Sequence, residues 1–296
     1  MATAETIAAA LGGCKAGRGW IARCPAHDDH DPSLSVREAD DGKVLVHCHA
    51  GCEQTQVIAA LRRRGLWAEH GEYRGRSIRP RPATGEGGDR AKRKEAALRI
   101  WQATISGAGT LVETYLQLRG IRIPVPPTIR FHPALKHPSG SIWPAMVALV
   151  TCGTDEMPLG IHRTFLSQDG TGKAAVESQR MMLGPCRGGA VRLAMARQPL
   201  MVGEGLETCL AAMQATGNAV WAALSASGMR VLDLASEIRD VLVLADGDDP
   251  GESAARRAAL RWKREGRRVR IARPPRGLDF NDLLLGRAPD LAEDAR

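Results

Sequence analysis

Small and apolar residues recur at helical spacing over residues 2–11 and stop at Gly12-Gly13, which predicts a short N-terminal helix. Leu34 and Val36 then alternate with serines, and Val44 and Val46 follow the polar turn Asp40-Asp41-Gly42, the pattern of a β-hairpin. Helical spacing returns over 54–66. From about residue 72 to 88, Gly, Pro, Arg and acidic residues displace apolar periodicity, as a solvated linker requires. Beyond it, 90–106 and 110–119 read as helices separated by Gly107-Ala108-Gly109, and 143–152 and 160–166 read as strands. Near the C-terminus the short apolar runs 200–202, 220–224, 241–245 and 268–272 alternate with helical stretches through Gln214, over 231–237 and over 250–265. Strands alternating with helices imply crossover connections and a mainly parallel sheet.

The expected architecture is therefore α+β and α/β multidomain: a small Cys- and His-containing ribbon-like module over 1–71, a basic linker over 72–89, a mixed α/β region over 90–198 and an α/β domain over 199–296. A chain of 296 residues with 44% hydrophobic and 25% charged residues excludes disordered and fibrous classes. No apolar run approaches the roughly 20 residues of a membrane span, and the first ten residues lack a signal-peptide pattern, so the expectation is a cytoplasmic protein without membrane contact. The formal charge of +8 favours polyanionic partners, and the basic residues concentrate over 74–94 and 256–276.

Seven cysteines in such a chain argue for metal binding or burial rather than disulfides. Cys24-Pro-Ala-His27 is a C-x2-H pair, and Cys48-His-Ala-Gly-Cys52 is a C-x3-C pair about 20 residues later across the expected hairpin. Two short-spaced pairs on adjacent turns each span one edge of a tetrahedron, which assigns Cys24, His27, Cys48 and Cys52 to one Zn2+. His47 and His49 flank Cys48 and are second choices, because strand alternation turns them from its face. Cys14, Cys152, Cys186 and Cys209 have no such partners.

Acidic residues gather at two expected strand tips. Glu204 stands between glycines after the run 200–202, and Asp246-Gly-Asp248-Asp249 follows the run 241–245. In an open α/β sheet the crevice outside the strand C-termini is where ligands bind, so Glu204, Asp246 and Asp248 can converge, with Asp279 as a further member. Clustered carboxylates need cations, and oxygen-only ligands suit Mg2+ or Mn2+. The alternative treats Glu204 and Glu207 as first-turn helix charges and Asp246 to Asp249 as a turn and N-cap. Gly170-Thr-Gly-Lys173 lacks the spacing and the Ser or Thr of a P-loop and reads as a turn; Arg163 and Lys173, on neighbouring strands, are candidates to face a polyphosphate.

Cys24-Pro-Ala-His27, Asp31-Pro-Ser-Leu-Ser-Val36 and His47-Cys48-His-Ala-Gly-Cys52 resemble the CHC2 zinc-binding domain of bacterial and phage DNA primases, where the last pair is commonly C-x2-C. Glu204-Gly, Asp246-Gly-Asp248 and Asp279-Phe-Asn-Asp-Leu-Leu284 resemble a Toprim domain and its closing segment. Thr110-x4-Tyr115-Leu-x2-Arg119-Gly-Ile, Arg130-Phe-His and Ile161-His-Arg-Thr164 are similar to the primase-like region joining these domains in phage, plasmid and integrative-element proteins. The resemblance implies synthesis of short RNA primers on single-stranded DNA from ribonucleoside triphosphates. It makes Glu204, Asp246, Asp248 and Asp279 catalytic and metal-binding, and Arg163 and Lys173 nucleotide or template contacts. With no Walker A motif, any helicase would act in trans. An accessory single-stranded-DNA-binding replication protein and a Toprim nuclease remain alternatives, and 4% aromatic content makes phosphate contact dominate over base stacking.

Overall fold

The computed structural model describes residues 3–16, 19–29, 32–39, 43–67 and 86–287. Asp31, the turn at 40–42 and the linker through residue 85 lie outside the described residues, as does much of the basic stretch 74–94. The chain divides into two units, Met1–Arg81 and Pro82–Arg296.

In the first unit, helix α1 (Ala4–Ala10) starts at the N-cap Thr3, whose hydroxyl accepts from Thr6 N–H at 3.1 Å. Strands β1 (Cys14–Ala16), β2 (Gly19–Ala22), β3 (Leu34–Glu38) and β4 (Val44–Cys48) form an antiparallel sheet in that order, and helix α2 (Gln54–Arg63) follows. Period-2 alternation divides the sheet: Leu34, Val36, Val46 and Cys48 are buried with Ile7, Val57 and Leu61 of the helices, while His47 is exposed. Strands β1 and β2 were not anticipated, because Gly and Lys interrupt their apolar pattern.

The second unit opens with α3 (Glu86–Gln102), which begins four residues before the expected helix and ends four before its expected end. The Thr104 hydroxyl donates to Trp101 C=O at 2.6 Å, and the β-branched Ile105 instead pairs with Phe131 in β5 (Ile105–Ser106). Helix α4 (Leu111–Leu118) is capped by Thr110. Next come β6 (Ile129–Lys136), β7 (Ile142–Cys152), β8 (Pro158–Phe165), β9 (Arg180–Leu183), β10 (Gly189–Arg192) and β11 (Leu200–Gly203). The chain continues through α5 (Leu206–Thr216), β12 (Val220–Ala222), α6 (Ala226–Val231), β13 (Asp240–Leu244), α7 (Asp249–Arg264), β14 (Arg268–Ala272) and α8 (Phe280–Leu284).

Among the described residues, one sheet carries the ten strands of this unit. Its main path runs β14-β13-β11-β12-β10-β7-β6-β5, with β8 on β7 and β9 on β8. The expected parallel part is present as β14, β13, β11 and β12, and β10 joins it to the antiparallel part by pairing antiparallel with both β12 and β7. On β7 and β8 alternation again sorts the residues. Ala145, Val147, Ile161 and Phe165 pack with Ala97 of α3, whereas Met146, Ala148 and Val150 pack with Val112, Tyr115 and Leu116 of α4. The helix expected over 231–237 is replaced by α6, because the Ser225 hydroxyl caps it earlier by accepting from Gly228 N–H at 2.9 Å. No helix among the described residues is long and apolar enough to cross a membrane.

Candidate metal centre and acidic cavity

In the first unit the structure brings together Cys24, just after β2, His27, Cys48 at the end of β4, and Cys52, just before α2. Their four ligand atoms lie within 4.8 Å of one another, a spread suited to a tetrahedral ion whose bonds are about 2.0–2.3 Å. His27 Nδ1 stands 3.2 Å from Cys52 Sγ and 3.9 Å from Cys48 Sγ, so this nitrogen faces the sulfurs. Burial pushes the Cys24 thiol up to about 12, and burial together with the Cys48 charge raises Cys52. For Cys48 the Cys52 backbone N–H and the Ser33 hydroxyl outweigh burial and pull the thiol down. Sulfurs crowded this closely need a cation before all can be thiolates. His47 and His49 turn away: their rings meet edge to face at 4.9 Å, and His49 Nε2 lies 2.5 Å from Ser35 Oγ.

Asp29 completes this centre and was missed in the sequence. One carboxylate oxygen faces His27 Nε2 at 3.3 Å; the other accepts from Cys24 N–H at 2.5 Å, Ser33 N–H at 3.2 Å and Ser33 Oγ at 2.7 Å. Burial alone would raise its pKa, but these hydrogen bonds and the imidazole outweigh burial and hold it below the usual carboxylate range. A carboxylate on the far nitrogen of a ligating imidazole fixes the ring and its tautomer. The signal for it was position alone, an Asp two residues after the ligand His27.

In the second unit the register Val202↔Val243 carries β11 and β13 to the same end of the sheet, which places Glu204 and Asp246 at neighbouring tips. Glu204 C=O accepts from Leu224 N–H at 2.9 Å, so the tip of β11 is tied to the segment after β12. Gly247 allows the next approach: a Cβ there would come 2.2 Å from Leu278 C=O, and Gly277 N–H donates to Gly247 C=O at 3.0 Å. That contact brings Asp279 to Glu204 and Asp246, and all three line a cavity of about 530 Å³. Asp248 does not line it; Asp248 Oδ1 accepts from Gly251 N–H at 2.7 Å as the N-cap of α7, although its charge still acts on both Glu204 and Asp246. Asp279 likewise caps α8, accepting from Asp282 N–H at 2.8 Å, while its other oxygen lies 3.5 Å from Thr208 Oγ1. Both the capping reading and the clustering reading of these acids therefore apply.

Burial, then the charges of Asp246 and Asp248, push Glu204 up to about 7. Burial, then Asp248 and Asp279, push Asp246 up to about 6, and Asp246 Oδ1 is buried with no hydrogen-bond partner. A partnerless buried carboxylate oxygen amid like charges is a fit for a hard divalent cation with oxygen ligands. Basic residues line the same cavity: Arg119 from the C-cap of α4, Lys173 from the turn after β8, and Arg180 from β9, beside His162, Met181, Met182 and Leu224. The Lys173 turn is held by Ser167 N–H donating to Gly172 C=O at 2.9 Å and by Asp169, as the glycines predict.

Arg163 is not brought to this cavity. It follows His162 on β8, so the two side chains leave opposite faces of the sheet. His162 lines the cavity, while Arg163 is buried with its guanidinium 5.8 Å over the Phe165 ring. The alternation of Ile161, Arg163 and Phe165 carried this distinction, and His162, Arg180 and Arg119 are cavity residues that sequence reasoning left unassigned. Much of the basic stretch 256–276 is also engaged: Arg256 and Arg273 pair with Glu252, Arg261 with Asp233, Arg267 with Glu265, and Arg268 and Arg270 with Asp240.

Comparison with known family models divides the second unit in two. Residues 199–290 match the Toprim domain family, and residues 91–193 match a domain of unknown function, DUF7146. The C-terminal part is a Toprim domain. No curated protein matches the chain. Among solved structures, the zinc-binding and RNA polymerase domains of the Aquifex aeolicus primase align over 97% of this chain and 80% of that one, with 15% identity and a TM-score of 0.46. The DnaG catalytic core aligns over 68% and 74%, with 17% identity and a TM-score of 0.43. The RNA polymerase domain of Mycobacterium tuberculosis primase DnaG in complex with double-stranded DNA aligns over 66% and 75%, with 16% identity and a TM-score of 0.37.

Proposed function

We propose that this chain is a DNA primase of a phage, plasmid or integrative element, acting in the cytoplasm and joining ribonucleotides into short primers on a single-stranded DNA template. The observation that carries the reading is the mixed charge of the cavity in the second unit. Glu204, Asp246 and Asp279 line it together with Arg119, Lys173 and Arg180. A bare carboxylate cluster would bind a cation; a bare basic pocket would bind an anion. The two together suit a nucleoside triphosphate delivered with its metal.

A divalent ion held there, Mg2+ or Mn2+, would offset charge on the attacking and leaving oxygens. Glu204 and Asp246 would hold it from their strand tips, with Asp279 beside them and Asp248 adding charge from the α7 cap. Arg119, Lys173 and Arg180 would bind the phosphate chain and orient it. Met181, Met182 and Leu224 offer the apolar surface that a base or ribose can rest on. Cys24, His27, Cys48 and Cys52 would hold one structural Zn2+, and the first unit would contact the template, with any helicase supplied in trans.

Purified protein incubated with single-stranded DNA, labelled ribonucleotides and Mg2+ should yield short RNA that disappears when the four-ribonucleotide mixture is withheld. Nicked or shortened DNA without RNA would establish a nuclease instead. Retention of DNA without any product would establish an accessory binding protein.

A further inference from the structure

Glu207, in the first turn of α5, faces the same cavity as Glu204, yet its surroundings differ. The Tyr115 hydroxyl of α4 donates to Glu207 Oε1 at 2.7 Å, and Lys173 Nζ stands 3.9 Å from the same oxygen. Burial would raise the Glu207 carboxyl, but the tyrosine hydrogen bond and the lysine charge outweigh it and hold the group below its ordinary range. Burial and the neighbouring carboxylate raise Tyr115, so it stays a hydroxyl donor, with the Arg119 guanidinium 4.8 Å over its ring. Three separate elements thus meet at one carboxylate, and two of them supply cations that line the cavity.

This arrangement answers a problem that lysine poses. Its ammonium is a point charge on a flexible stem, so a lysine free in a cavity must lose rotamer freedom each time it grips a phosphate. Lys173 is already held, with only 20% of its side chain exposed. Glu207, in turn, is aimed by the Tyr115 hydroxyl, which donates to it at 2.7 Å.

We infer that Glu207 is a positioning residue, not a metal ligand: fixed by Tyr115, it holds the Lys173 ammonium in place to receive the phosphates of the incoming nucleotide. The inference rests on the proposed nucleotide-binding reading of the cavity. A pre-positioned cation that contacts the phosphates equally in the ground and transition states affects KM and leaves kcat nearly unchanged.

The test measures priming kinetics alongside equilibrium retention of labelled ATP with Mg2+, each variant being checked for wild-type melting. Glu207→Gln should raise KM for ribonucleotides about tenfold, with kcat altered less than about threefold, and Tyr115→Phe, which keeps the ring, should give a smaller rise of the same kind. The double variant Glu207→Gln/Lys173→Ala should be no worse than Lys173→Ala alone, because the two act as one unit. The half-saturating Mg2+ concentration should not move. If Glu207→Gln fails to fold, Tyr115→Phe and Lys173→Ala with their double variant decide the matter by the same non-additivity. A fall in kcat of a hundredfold with a shifted Mg2+ requirement would make Glu207 a metal ligand and overturn the inference, as would additive losses. Wild-type protein that retains no ATP would overturn the nucleotide reading itself; wild-type retention left unchanged by the variants would overturn only the role of Glu207.

Discussion

The Cys-His cluster of the first unit and the acidic cavity of the second both crowd together groups that repel one another, and they differ in what each leaves open. Around the cluster the candidate ligands are supported by the fold: His27 is aimed by Asp29, Asp29 is tied to Cys24 and Ser33, and Cys48 lies in the core of a small sheet. In the cavity the repulsion is left standing. Asp246 Oδ1 has no partner, Glu204 is raised to about 7, and both line a cavity of about 530 Å³. A closed set of ligands makes a metal part of the fold; an unbalanced set with space beside it makes a metal part of a reaction. Within the cavity, Glu204 and Glu207 repeat the lesson three residues apart: a hydroxyl and an ammonium hold the second below its ordinary range, whereas burial and two neighbouring carboxylates outweigh the Ala226 hydrogen bond and the Arg180 charge at the first.

The most disruptive way to break this comparison is Cys48→Ser. Structural zinc contributes folding free energy directly, on the order of 10 kcal/mol in small zinc modules, so the variant should lose its zinc and the fold of the first unit while the second unit melts as before. Metal analysis with differential scanning calorimetry would show it; full zinc occupancy in the variant would instead bring in His47 or His49. Asp29→Asn should act more mildly, weakening zinc affinity by about 10-fold to 100-fold in chelator competition without abolishing binding, because the ligands remain and only their support is removed. Unchanged affinity would mean that Ser33 and the sheet suffice to orient His27.

A smaller effect should appear on titration. Glu204 is raised to about 7 from 4.5 and Asp246 to about 6 from 3.8, so between the unfolded and folded values the native protein holds more protons than the unfolded chain. Stability therefore falls as pH rises from about 4 to 7 from this source. Mg2+ should restore it, raising the melting temperature of the second unit more at pH 8 than at pH 5. A cation effect equal at both values would show that these carboxylates do not hold it.

Much of this was readable from spacing. Ligand pairs at C-x2-H and C-x3-C, apolar runs ending in Glu204 and Asp246, and the alternation of helices and strands all depend on local period, which sequence displays directly. What escaped depended on partners far away in the chain. Tyr115 meets Glu207 across 92 positions, and nothing near either residue announces it. Arg180 sits on β9, a strand too short to show a pattern, and Arg119 stands in a quoted motif with no role attached. Arg163 is the opposite case, because the alternation that buries it beside Phe165 is present in the strand and sets it on the face away from the cavity that Lys173 lines. The arginines of 256–276 similarly read as a free basic surface until the fold supplied Glu252, Asp233 and Asp240 as partners.

Asp246→Asn tests the central claim most directly, because it preserves shape at the β13 tip and removes one charge from the unbalanced cluster. Primer synthesis on single-stranded DNA should fall by at least about a hundredfold, the scale of losing a principal electrostatic interaction in the transition state. Template retention should persist, and stability without metal should be unchanged or slightly higher, because a repulsion has been relieved. Wild-type primer yield from the folded variant would contradict the account, leaving the acidic tips as helix caps and turns and placing any activity elsewhere in the chain.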